Sequence, residues 1–291
     1  MSRKSARRSY SASSVVTGAG SGIGAAFALE LAARGGRVVC SDINPDAAAR
    51  TVEAITARGG QAIAVRCDVS RIEDVEQLAE QAQAWFGGPP TLVINNAGVV
   101  VGGRQIGEAP LDDWSWALSI NLWGPIHGCH VFAPILRAAG YGGIINVASA
   151  AAFGASPNLA VYSVTKAAAL SLSETLAAEL NGTGVNVTAL CPTFVKTNIV
   201  ESGRLTAESA QRGGRAMRLT GITPERVVRK CLDTHDRGGV YCFPQLDAKV
   251  GWRVTRLAPA TYTRALGLVH RFSAPQSTAG RRGLSRSRMS G

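Results

Sequence analysis

Residues 15–24 read VVTGAGSGIG. The valines and the β-branched threonine are strand residues. Glycines follow at 18, 22 and 24, and a helix-length apolar stretch covers 22–34. A turn of this kind needs glycine where φ is positive and where backbone must approach a ligand closely. A helix opening there points its free N–H groups at whatever lies above, which suits a pyrophosphate. A glycine cluster alone is weak evidence. Set between a first strand and a first helix, it is the signature of a dinucleotide-binding βαβ unit. Gly18, Ser21, Gly22, Ile23 and Gly24 are the expected cofactor contacts of this turn.

The same alternation continues outward. Apolar or β-branched runs lie at 14–17, 37–41, 62–66, 91–95, 143–149, 185–190 and 239–243, with helical stretches near 22–34, 45–58, 71–86, 111–138, 160–180 and 224–235 between them. Strands alternating with helices predict α/β architecture: a doubly wound, Rossmann-like parallel sheet of about seven strands, covered by helices on both faces. The interval 196–222 is long for a βα connection and rich in arginine, which marks it as a lid. No periodic pattern is evident beyond about 244. The organisation expected is a loose basic start (1–13), one domain (14–250), and a basic extension (251–291) disordered from about 273.

Ends of strands carry the next candidates. Asp42 closes the second strand, where a carboxylate accepts from the adenosine ribose hydroxyls and repels the extra phosphate of NADP. Ala19, Gly20 and Ser21 offer no compensating base, so NAD is favoured. Asp68, followed by Val69, closes the third strand, where it either holds the adenine amino group or caps a helix, a task for which Ser70 is better placed. Asn95, Ala97 and Gly98, in NNAG, close the fourth and either line the cofactor floor or turn the chain.

Residues 162–166 read YSVTK and set Tyr162 and Lys166 four apart, on one helix face. A nearby cation favours the phenolate. Moving a tyrosine from about 10 to about 7 takes roughly 4 kcal/mol. The chain has five lysines against 26 arginines, yet places lysine here, where a compact ammonium can contact both a phenol and a ribose. Ser149 ends the fifth strand, at the sheet edge where ligands bind. Asn121 lies four residues before Pro125, which has no N–H, so its carbonyl loses a helical donor and can hold a water.

In this order, TGxxxGIG, Asp68, NNAG, Asn121, Ser149 and YxxxK resemble the short-chain dehydrogenase/reductase family, strongly over about 14–200. The resemblance implies a single Rossmann-like domain, a nicotinamide cofactor, a homo-oligomer (dimer or tetramer), and a catalytic tetrad at Asn121, Ser149, Tyr162 and Lys166. It also implies cofactor contacts at Pro192, Val195 and Thr197. The family usually has Pro-Gly where this chain has Pro192-Thr193.

Composition bounds the alternatives. The chain is 46% hydrophobic and 18% charged, a globular balance. Its net charge of +11 sits in the ends, residues 1–13 and 251–291, which hold +12 without an acid; the body is close to neutral. Specific nucleic-acid binding is therefore not expected. Six well-separated cysteines suggest free thiols in a reducing, cytoplasmic setting, with neither disulfides nor metal. No run is long and apolar enough to span a membrane, and the basic start lacks the apolar core of a secretory signal. The arginines and aromatics of 252–272 suit either a membrane surface or packing on the body or a neighbouring subunit. The expected function is interconversion of a secondary alcohol and a ketone on a hydrophobic or moderately bulky substrate, walled by Val99, Val100, Val101, Phe153, Leu159 and the lid. The alternatives are a non-catalytic redox sensor that binds the dinucleotide and a binder of anionic surfaces.

Overall fold

The computed structural model describes residues 7–154 and 156–273. Chain order begins β1 (Ser13–Thr17), α1 (Gly22–Ala33), β2 (Arg37–Asp42), α2 (Pro45–Thr56), β3 (Gln61–Arg66), α3 (Ile72–Phe86) and β4 (Leu92–Asn95). A short strand β5 (Val101–Gly102) precedes a long helical run: α4 (Leu111–Leu118), a π-helical turn at Ser119–Trp123, and α5 (Gly124–Ala139). Then come β6 (Gly142–Val147), α6 (Ala151–Gly154), α7 (Ala160–Glu179), β7 (Val185–Leu190), β8 (Arg204–Leu205) and α8 (Ala207–Thr220). The chain continues through α9 (Pro224–Asp236), β9 (Tyr241–Cys242), α10 (Leu246–Leu257) and α11 (Pro259–Ser273).

Seven parallel strands form one sheet in the order β3-β2-β1-β4-β6-β7-β9. The chain winds outward from β1 to β3, then returns to the other side of β1 with β4. That reversal opens a crevice at the carboxyl ends of β1 and β4, where open α/β sheets bind ligands. Both sheet faces are buried, hence the near-continuous Val/Ile runs. On one face Phe27, Leu31, Val227 and Leu232 of α1 and α9 pack on β1, β2 and β4. On the other, Leu78, Phe132, Leu136 and Leu176 of α3, α5 and α7 close the second layer.

Helix boundaries follow local chemistry. Asn44 caps α2 by accepting from the Ala47 N–H, with Pro45 at the first helical position. Left-handed Gly87 and Gly140 end α3 and α5. The stretch expected as one helix over 111–138 does run continuously, but with a π-helical turn of SINLW inside it. Pro125, just after that turn, removes a backbone donor, and the ladder widens there.

Three segments depart from expectation. Residues 7–12, expected as loose, are tied down: the Ser9 N–H and hydroxyl donate to Asp236 at 2.8 and 2.7 Å, and Arg8 donates to the Gly184 carbonyl. The lid interval holds β8, which pairs in parallel with β5, and α8. Beyond 244, α10 begins at Leu246 and runs through residue 250, and α11 follows. The expected disorder beyond 273 lies outside the described residues.

Candidate functional site

A cavity of about 1010 Å³ runs along the carboxyl edge of the sheet. One end is built by the glycine turn. Gly18 has φ +63°, and a Cβ there would sit 2.9 Å from the Ala97 Cα. Thr17 and Asn96 set that proximity. The Thr17 hydroxyl accepts from the N–H groups of Asn96 and Ala97, and the Asn96 amide donates to the carbonyls of Thr17 and Gly18. Gly18, Ser21, Gly22 and Ile23 line the cavity. Gly24 does not: a Cβ there would lie 2.0 Å from the Gly18 carbonyl oxygen, so this glycine lets α1 seat against the turn.

Asp42 lines the same end. One carboxylate oxygen accepts from the Gly20 N–H at 2.9 Å and the other from Asn44 at 3.0 Å. The carboxylate is thus fixed at the rim of the turn. Among the described residues, the basic ones lining the cavity are Lys166, Arg212 and His270, none of them on β2 or the turn. Asp68 and Val69 follow along the wall. Asp68 accepts from both the backbone and the hydroxyl of Ser70. Ser70 is therefore not the N-cap of α3; Arg71 holds that position without a side-chain cap bond.

Ala97 and Gly98 line the floor, whereas Asn95 does not. The Asn95 side chain turns into the core beneath, donating to the Asn146 amide oxygen at 2.8 Å beside Cys129. In a strand alternate side chains face opposite ways, and the neighbour Asn96, which the sequence reading did not single out, takes the cleft side. A doubled asparagine is ambiguous by one residue, which is the whole difference here.

The other end of the cavity gathers Ser149, Tyr162 and Lys166. Ser149 follows β6 and accepts from the Ala151 N–H at 3.1 Å, which fixes its rotamer. Tyr162 and Lys166 share a face in the first turns of α7. The buried Lys166 ammonium donates to the Val147 carbonyl at 2.9 Å and stands 5.8 Å from the centre of the Tyr162 ring. Burial pulls Lys166 down to about 8, the Cys191 thiol opposing weakly. Burial likewise pushes the Tyr162 phenol up from its ordinary value, and the Ser149 side chain works against that rise. Burial of the phenol thus opposes the acidifying pull expected of Lys166 together with a bound nicotinamide ring.

Asn121 sits in the π-helical turn, 1% exposed, behind the cavity wall. Its amide accepts from the Val99 N–H and donates to the Val99 carbonyl, both at 2.8 Å, and donates to Thr165 at 3.1 Å. Thr165 in turn donates to the Tyr162 carbonyl. Asn121 thus clamps the loop after β4 to the turn of α7 that carries the tyrosine. A Cβ on Gly98 would press on both the Asn121 oxygen and the Lys166 ammonium, at 3.0 and 3.3 Å.

The family model for short chain dehydrogenases matches residues 13–208. The chain belongs to the short-chain dehydrogenase/reductase family. Probable oxidoreductase EphD of Mycobacterium tuberculosis is 42% identical over 64% of this chain, which spans only 31% of that protein's length. A 1-deoxy-11-beta-hydroxypentalenate dehydrogenase of Streptomyces exfoliatus is 34% identical over 91% of the chain and 95% of its own length. A short-chain dehydrogenase/reductase from Burkholderia phymatum, solved in complex with NAD, superposes with a TM-score of 0.80 at 32% identity, over 85% of this chain and 94% of its own.

Where this member departs from the family's Pro-Gly, the structure gives the substitute a task. Pro192, Val195 and Thr197 line the cavity with Thr193. The Thr193 hydroxyl donates to Asp247 and its N–H to Gln245, both at 3.3 Å, while Gln245 donates to the Phe194 carbonyl. The loop after β7 is thereby fastened to the start of α10. Of the expected walls, Val99, Val100, Phe153 and Leu159 line the cavity, as do Ile199, Val200 and Met217 of the lid interval. Val101 is instead buried against Ala117 and Val161. Tyr262, Leu266, Val269 and His270 of α11 complete the wall, and Tyr262 donates to the Gly154 carbonyl at 3.1 Å. The aromatic and aliphatic residues of 252–272 were visible in the sequence, but nothing there showed which face meets the cleft.

Proposed function

We propose that the chain is an NAD-dependent oxidoreductase that interconverts a secondary alcohol and a ketone on a hydrophobic, moderately bulky substrate. The observation that carries this reading is the single cavity with Ser149 and Tyr162 at one end and the glycine turn with a fixed Asp42 at the other. The turn fits a dinucleotide: the N-terminus of α1 opens on it, and Gly18 and Gly22 leave room where side chains would intrude. Gly18, Ser21, Gly22 and Ile23 would hold the pyrophosphate, Asp42 the ribose, Asp68 and Val69 the adenine, and Val195 and Thr197 the nicotinamide side. Asp42 beside a turn that carries no basic residue, with its cross-strand neighbour Arg66 paired to Asp74, favours NAD over NADP.

In this reading Ser149 donates to the substrate oxygen and steadies the charge that develops on it. Tyr162 transfers the proton, taking it from an alcohol or giving it to a nascent alkoxide. Lys166 holds a positive charge under the phenol, and Asn121 positions Tyr162 through Thr165. NAD, when bound, supplies the hydride acceptor and, in its oxidised form, a positive charge. The walls are mostly apolar, in keeping with a lipophilic substrate; the relative named for hydroxypentalenate supports the same class. Oligomerisation belongs to the proposal too. The test is NADH fluorescence titration followed by a panel of alcohols and ketones, with wild type and Tyr162→Phe. The expected result is equal NADH binding by both proteins and turnover by the wild type alone. Binding without turnover by either protein would favour the redox-sensor reading.

A further inference from the structure

The helix α11 has two working faces. Tyr262, Leu266 and His270 turn into the cavity, and Val269 both lines it and is 62% exposed, which puts it at the mouth. Away from the body the helix presents Leu268 and Phe272, the latter 83% exposed, and Leu257 at the end of α10 is 86% exposed. Arg253, Arg264 and Arg271 are exposed among them. The helix α8, which also lines the cavity through Ser209, Ala216 and Met217, repeats the pattern: Arg215, Arg218 and Leu219 face outward. Among the described residues no salt bridge engages any of these five arginines. From residue 251 to 291 the sequence has eight arginines and no acid.

Scattered exposed leucines are ordinary on any protein. Large apolar tips interleaved with these arginines, on three helices bounding one cavity (α8, α10 and α11), have the composition of an interfacial surface. A polyanion such as nucleic acid would use the arginines but leave Leu257 and Phe272 in water. A second copy docking through the same face would set arginine against arginine, because a two-fold contact is self-complementary. An anionic lipid surface satisfies both features: headgroups meet the arginines, and the apolar tips enter the acyl boundary.

We propose that the outer faces of α8 and α11 dock on an anionic lipid surface, and that the cavity they rim takes its lipophilic alcohol or ketone from that surface. The second half rests on the oxidoreductase reading; the first does not. The test is flotation of the full chain with vesicles of phosphatidylcholine alone or with ~30% phosphatidylglycerol. Arg264→Gln/Arg271→Gln and Leu268→Ser/Phe272→Ser serve as variants, since all four side chains are exposed and outside the proposed catalytic set. The wild type is expected to float with the anionic vesicles only. The arginine variant should bind roughly 25-fold more weakly, and added salt should mimic it. The apolar variant should weaken binding at every salt concentration. Absence of flotation, equal flotation with both vesicles, or indifference to both variants overturns the proposal. So does a dimer broken by the apolar variant, which assigns the face to a second copy. Flotation needs no turnover, so its failure leaves the oxidoreductase reading untouched.

Discussion

The two ends of the cavity are made differently. The Gly18–Asp42 end is assembled from turns at the tips of adjacent parallel strands, and backbone groups do most of the holding: Gly20 N–H to Asp42, Asn96 to the carbonyls of Thr17 and Gly18. The substrate end is assembled from segments far apart in sequence. Phe153 and Leu159 come from the α6–α7 region, Met217 from α8, and Tyr262 and Leu266 from α11. A site built from strand tips tolerates little change, because each backbone position is fixed by the sheet register. A site built from packed helices can change side chains while keeping its shape. Ser149, Tyr162 and Lys166 are gathered at this second end.

The sharpest way to separate the ends is to change Lys166. Lys166→Met should cut turnover by about 10²–10⁴-fold, the range of a lost acid–base partner. It should leave thermal stability equal or higher, because burial holds this lysine at about 8 in the fold. The sign follows from linkage. A base whose folded value lies below its unfolded value of 10.5 costs the fold most below pH 8, and the cost fades as pH rises to 10.5. The wild type should gain stability across that window, and the methionine variant should lose that gain. Denaturant titration against pH checks it.

Next in size, Gly24→Ala attacks the strand-tip end. Its methyl would lie 2.0 Å from the Gly18 carbonyl oxygen, so α1 must shift, at a cost of about 1–3 kcal/mol. Stability and NADH affinity should fall together. Asp42→Asn removes the charge and keeps an acceptor for only one of the Gly20 and Asn44 N–H groups, because its amide nitrogen can only donate. The preference for NADH over NADPH should narrow by about tenfold, measured as a ratio of dissociation constants. The smallest effect belongs to the helical end. Tyr262→Phe deletes the bond to Gly154, and a net hydrogen bond of about 0.5–1.5 kcal/mol predicts a KM change of about two- to tenfold for bulky substrates only. Equal loss on small and bulky alcohols would break the division of the cavity into two ends.

The same contrast explains what the sequence disclosed. Each of the seven strand runs became a strand of the sheet, because parallel strands buried on both faces require apolar runs. The glycine turn, Asp42, Ser149, Tyr162 and Lys166 were legible because each lies at a strand tip or at a fixed helix spacing. Asn95 misled because two adjacent asparagines face opposite sides of one strand. Asn121 was legible through Pro125, but its grip on Val99 is a tertiary contact no spacing encodes. The helices α8, α10 and α11 were missed for another reason. The paired glycines at 213–214 and Pro259 read as breaks in stretches that are in fact amphipathic, and docking decides their inner face: Trp252 packs on Tyr241 and Phe243, and Arg256 pairs with Glu174.

In the proposed mechanism the Tyr162 phenol hands the proton to or from the substrate oxygen. A crystal structure with NADH and a non-reacting ketone analogue tests it directly. The Tyr162 Oη and Ser149 Oγ are both expected about 2.6–3.2 Å from the ketone oxygen, with the dinucleotide lying from Asp42 to Thr197. A ketone oxygen held by other groups, with the phenol turned away from the cleft, would contradict it.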